Sequence, residues 1–161
     1  MDREWIKHLA LASLEGGEWR PQDRHILETK VRARLRDIMQ EFLAAAEESA
    51  AIYNVHAHHG RRMSVLPVRE SALTKISAIV FLLGRVQLRL EDLDGTLSSN
   101  ILTLQGFERR QSKLYLFDPR VDAFGSITWV KSGERELTIE GVIQQCMADV
   151  VRAALTTHEI A

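Results

Sequence analysis

Thirty consecutive residues, Asp23 to Ile52, contain neither glycine nor proline, and good helix formers dominate them. A backbone without either breaker over that length reads as one helix, about 45 Å long at 1.5 Å per residue. Val31, Leu35, Ile38, Phe42, Ala45 and Ile52 mostly follow alternating steps of four and three, a heptad-like seam broadened by Met39, Leu43 and Ala46. Such a helix is longer than a domain of this size needs for its own core. Two readings follow: it is a core helix with a frayed end, or its distal part packs on a partner or a second copy. On the second reading Leu35, Ile38 and Phe42, three successive seam positions, form the interface.

What flanks this helix narrows the architecture. Upstream, Trp5, Ile6, Leu9, Ala10 and Leu14 recur at helical spacing, Gly16-Gly17 supplies a stop, and Pro21 suits a helical first turn. Downstream, the pattern changes to a period of two. Val86, Leu88 and Leu90 alternate with Arg85, Gln87 and Arg89, as in a half-buried strand. Ile76 to Leu83 fits either a strand or a buried helix. Ile101 to Phe107, Lys113 to Phe117, Phe124 to Val130 and Glu136 to Ile139 read as further strands. Asp94-Gly95, Asp118-Pro119 and Ser132-Gly133 read as the turns between them. Val142, Ile143, Met147, Val150, Val151, Ala154 and Leu155 then define a closing amphipathic helix.

The expectation is a single α+β domain over 1–161: a helical part to about 75, a sheet over about 76–140, and a closing helix over about 140–157. Short connections make the four- to five-stranded sheet an antiparallel meander packed against the long N-terminal helix and the C-terminal helix.

Composition removes several classes of function. The formal net charge is −1, so no global field recruits nucleic acid or anionic lipid, and such binding would need a local patch. The one cysteine, Cys146, forbids an intramolecular disulfide. The longest apolar run, Ala78 to Leu83, is far short of the roughly 18 residues that span a bilayer. A soluble, cytoplasmic protein of bacterial type, with no membrane association, is the expectation.

The densest chemistry lies in the stretch YNVHAHHGRR, Tyr53 to Arg62. On an extended segment His56 and His58 would share a face, with His59 beside them, yet a zinc site needs a third and usually a fourth donor. There is no CxxC and no HExxH, so no metal is assigned. Arg61 and Arg62, with Arg69 further on, suit an anion, and Gly60 would let backbone N–H groups approach it. The phosphate-cradling glycine patterns are absent. His56, His58, His59, Arg61 and Arg62 therefore stand as an anion or ligand candidate, against the plainer reading of a solvated loop.

Catalysis finds less support. The chain has no GxSxG and no SxxK, and Cys146 sits in the apolar stripe of the closing helix. The acidic runs Glu47-Glu48 and Glu91, Asp92, Asp94 read as solvated faces. No catalytic residues and no cofactor are assigned. For nucleic acid, Lys30, Arg32, Arg34 and Arg36 wind around a helix, while Arg109, Arg110 and Lys113 sit in a turn near Phe107, Tyr115 and Phe117. Leu114 and Leu116 alternate with those last two aromatics. That pattern argues for a strand covered on both faces, and nucleic acid is set aside on that ground. Excess apolar surface without a catalytic constellation points to a non-catalytic binding protein of adaptor, chaperone-like or immunity-like kind. Its expected partner is another protein or itself, a homodimer being favoured. The alternative is a small-molecule or nucleotide-binding domain, enzymatic or not, that uses the His56–Arg62 loop.

Overall fold

The computed structural model of the chain describes residues 21–57, 61–70, 75–93, 95–121, 126–131 and 136–156, with side chains from Asp37 onward except at Val121. Helix α1, Pro21–His56, comes first. Seven strands follow: β1 Ser64–Arg69, β2 Ile76–Leu83, β3 Val86–Leu93, β4 Thr96–Gln105, β5 Glu108–Val121, β6 Ile127–Lys131 and β7 Glu136–Leu137. Helix α2, Ile139–Thr156, closes the order. The strands form one sheet in sequence order, every neighbouring pair antiparallel.

The class is the expected α+β, with more strands than the four or five read from the sequence. One addition is β1, which lies inside the stretch assigned to the helical part. Its sequence, SVLPVR, holds a proline and so reads as a break. Proline is tolerated on an edge strand, and β1 is the sheet's edge. The ambiguous run Ile76 to Leu83 is a strand, β2, buried along nearly its whole length. That is why its hydrophobicity runs on without alternation.

Asp118-Pro119 is not a turn. Both residues lie within β5, where Asp118 pairs with Val130 and Pro119 with Trp129. Pairing with β4 ends at Phe117, so β5 there keeps β6 as its one strand neighbour and has an edge that needs no donor from proline. The strand expected over Phe124 to Val130 is Ile127–Lys131, with Phe124 outside the described residues. Glu136–Leu137 ends two residues early because Ile139 opens α2. The helix read over Trp5 to Leu14 also lies outside the described residues, as do Asp94 and Ser132-Gly133.

One core joins the layers. Across β2, β3 and β4, Phe81 pairs with Leu88 and Leu88 with Ile101. Ile79 stands beside Leu90, and Leu83 beside Val86. These side chains are buried with Ile38, Met39, Phe42 and Leu43 of α1 and with Val142, Ile143, Cys146 and Val150 of α2. Trp129 on β6 closes this layer, its ring centroid 4.9 Å from that of Phe42 in an edge-to-face contact. Gly84, Gly95 and Gly106 all take positive φ, the backbone geometry that tight hairpins between twisted strands require.

An apolar groove between the two helices

Helix α2 carries two apolar rows. Val142, Cys146, Val150 and Ala154 face the sheet and are buried. Met147, Val151 and Leu155, spaced by fours, run beside that row one position further on. With Ala45, Ser49, Ile52 and Tyr53 of α1 they line a groove of about 760 Å³ on the outer side of the helix layer. Ile52 is 59% exposed and Leu155 56% exposed. Val55 follows Ile52 by three residues, on the same side of α1, and is exposed as well. The rim is charged with both signs: Glu48 on α1, and Glu140 and Arg152 on α2.

Beneath the rim sits a polar cluster. Gln145 Nε2 donates to both carboxylate oxygens of Asp149, at 3.1 and 3.2 Å. Arg152 approaches Asp149 Oδ1 at 3.5 Å, its own side chain largely exposed. Lys131 Nζ donates to Gln145 Oε1 at 3.3 Å and lies 4.4 Å from the centroid of the Tyr115 ring. Burial pushes the Asp149 carboxyl above the usual range, while the Gln145 hydrogen bond, Arg152 and Lys131 pull the other way. Burial, with the charge of Asp149 adding to it, pushes the Cys146 thiol far up, so it remains a thiol at neutral pH. Such a cysteine fills space in the core and is no nucleophile. The cluster fixes one face of α2 on the sheet and orients Arg152 at the rim.

The residues singled out from the sequence fall in three places. His56 is exposed at the end of α1, and Arg61 and Arg62 lie just before β1, while His58 and His59 are outside the described residues. Asn54 anchors this stretch. Its Oδ1 accepts the Met63 N–H at 2.7 Å and its Nδ2 donates to the Met63 carbonyl at 2.9 Å. Arg69 stands at the far end of β1, away from Arg61 and Arg62. Among the described residues no three His, Cys, Asp or Glu side chains gather as a metal would need.

The interface candidates fare differently. Ile38 and Phe42 are buried against this chain's own sheet, Phe42 completely, so neither is free to meet a partner. The side chain of Leu35 is outside the described residues. The seam faces inward because Trp129 and the β2–β4 side chains fill the space beside it. The outward apolar surface lies instead on Ile52, Val55 and Leu155. Its sequence signal was the second row of fours in the closing helix.

No protein-family model, no curated protein and no solved structure matches this chain. The groove has to be read from its own chemistry.

Proposed function

We propose that the protein is a non-catalytic binding protein of adaptor, chaperone-like or immunity-like kind, and that it pairs with a second copy through the α1–α2 groove. The observation that carries this reading is the groove itself, with Ile52 and Leu155 more than half exposed on its walls. Full burial of such a side chain returns roughly 1.5–3 kcal/mol, and two that are little more than half exposed still forgo about half of that each. A two-fold contact sets one surface against itself, so a self-complementary rim is what it requires. Glu48 and Glu140 on one copy can meet Arg152 on the other, and the apolar rows can meet across the axis as a four-helix layer. The shared core supports treating the chain as a single domain in this role.

The groove's volume also supports a second reading, an apolar small molecule, because ligand pockets commonly span roughly 300–1,000 Å³. Among the described residues of the His56–Arg62 stretch, His56, Arg61 and Arg62 do not line it, which favours the protein partner.

The test is the mass in solution. Light scattering should give twice the 18.3 kDa chain mass for the wild type. Ile52→Asp and Leu155→Asp should each give a monomer with an unchanged far-UV circular dichroism spectrum, because both side chains stand outside the core. A wild type that stays monomeric at all concentrations would overturn self-association. The small-molecule reading then survives if the groove takes up an apolar dye and Ile52→Asp abolishes that uptake.

A further inference from the structure

The charges at the two ends of the sheet are distributed very differently. At the end where β2 turns into β3 and β4 into β5, the described residues carry Arg61, Arg62, Arg85, Arg109 and Arg110, against one carboxylate, Glu108, and Lys113 stands further along β5, opposite Asn100. At the opposite end Glu70, Glu91, Asp92 and Asp118 mix with Arg69, Lys75 and Arg120. The sequence scatters the five arginines over fifty positions, and the fold collects them. Arg62 lies two residues before Ser64, which pairs with Leu82, itself two residues from Gly84 at the β2–β3 turn. The Leu104 N–H donates to the Arg85 carbonyl at 3.2 Å, which joins that turn to the base of the β4–β5 hairpin. The basic groups thus run along one end of the sheet, neighbouring strands lying about 4.8 Å apart.

The β4–β5 hairpin extends this row outward. All ten residues from Leu104 to Lys113 are exposed, and beyond the Val86–Thr103 pair the ribbon has no partner strand but itself among the described residues. At its tip, Phe107 follows the left-handed Gly106 and is fully exposed. The pairing of Leu104 with Arg109 and of Thr103 with Arg110 places the two arginines on opposite faces of the ribbon, so both flank the aromatic tip. Arg110 meets Glu108 at 4.0 Å, but both side chains are about 70% exposed, and such a pair is weak in water. The pattern that argued for β5 being covered on both faces holds only in part, since Leu114 is half-buried against the core but Leu116 is not. Tyr115 and Phe117 turn towards the core, whereas Leu116 is 47% exposed on the other face.

We infer that this basic end, with Phe107 at its outer limit, binds single-stranded nucleic acid: the arginines and Lys113 hold successive phosphates, and a base stacks on Phe107. Arginine suits phosphate because its planar fork donates two parallel hydrogen bonds. A lone exposed aromatic beside a row of cations suits an unpaired base, which offers a ring face for Phe107 and a phosphate for a neighbouring cation. The inference is independent of the groove, which lies on the helix layer.

The probe is a fluorescently labelled oligothymidylate of about 16 nucleotides, followed by anisotropy in the full-length protein across a salt series. Binding should weaken linearly in log–log form as salt rises, each phosphate contact adding about 0.7 to the slope. Arg109→Glu with Arg110→Glu should lower affinity at least ten-fold and flatten the slope. Phe107→Ala should lower affinity about five-fold or more at an unchanged slope. Lys75→Glu with Arg120→Glu, at the other end of the sheet, should change affinity less than two-fold, on the order of background for an exposed pair. All these positions are exposed, and circular dichroism confirms the fold of each variant. Absence of binding at low salt overturns the inference. So does equal weakening by the two charge-reversal variants. Equal affinity for heparin or for anionic vesicles with no loss in Phe107→Ala also overturns it, because that result describes a general polyanion surface.

Discussion

Phe42 carries more of the packing than its place in a helical seam suggests. It is fully buried, meets Trp129 edge-on, and lies where α1, α2 and the sheet converge. Phe42→Ala should therefore cost about 3–5 kcal/mol, read from the midpoint of urea unfolding. Phe42→Asp, which would bury a charge there, should abolish the folded state. A folded but monomeric Phe42→Asp protein would contradict the inward placement of the seam. Asp149 tests the polar cluster by a different route. Its carboxyl titrates higher folded than unfolded, where the value is about 3.9, so the folded state binds this proton more tightly. The proton's stabilising contribution is complete below about pH 4 and is lost as pH rises through the folded value. Asp149→Asn keeps a neutral group at all pH, so its stability relative to wild type should grow from pH 4 to pH 7. Urea midpoints at both ends of that window check it, and a gap that narrows with rising pH would refute the stated environment.

At the scale of elements, legibility followed periodicity. The long helix, the alternation of Arg85 to Leu90 and the closing helix were plain in the sequence because each buries one face at a regular interval. β2 was ambiguous because both its faces are covered, which removes the alternation. β1 and the end of β5 were missed because Pro67 and Pro119 read as breaks. Their tolerance depends on lying at an edge, which is a property of the assembled sheet and not of local sequence. The candidate site divided in the same way. Met147, Val151 and Leu155 were visible as apolar helix positions, but only the packing of α1 beside α2 separates the outward row from the inward one. The hairpin turn offers a prediction at this scale. Gly106 has φ of 62°, and a Cβ added there would meet nothing within 4 Å. Gly106→Ala should thus destabilise by backbone strain alone, about 1–2 kcal/mol, without displacing neighbours. A loss below a few tenths of a kcal/mol would place the turn outside the left-handed region.

For the molecule as a whole, the described residues present an apolar groove on the helix layer and a basic end of the sheet, both outside the core. The sequence held a part of each, Met147, Val151 and Leu155 for the groove and Arg109, Arg110 and Lys113 near Phe107 for the basic end, but not the residues the fold brings beside them. Charge and hydrophobicity average out along the chain, and three-dimensional neighbours such as Arg85 and Arg109 are far apart in it. The groove as a two-fold interface is the central claim, and inter-copy distances test it directly. A spin label on a cysteine placed at Gln144, on the groove rim, should report one narrow inter-copy distance, and native Cys146 is buried and takes no label. A label at Gln111, on the exposed β5 hairpin, should report a longer distance. Dipolar coupling that is absent at Gln144, or a shorter distance at Gln111 than at Gln144, would contradict the assignment of the groove as the place where two copies meet.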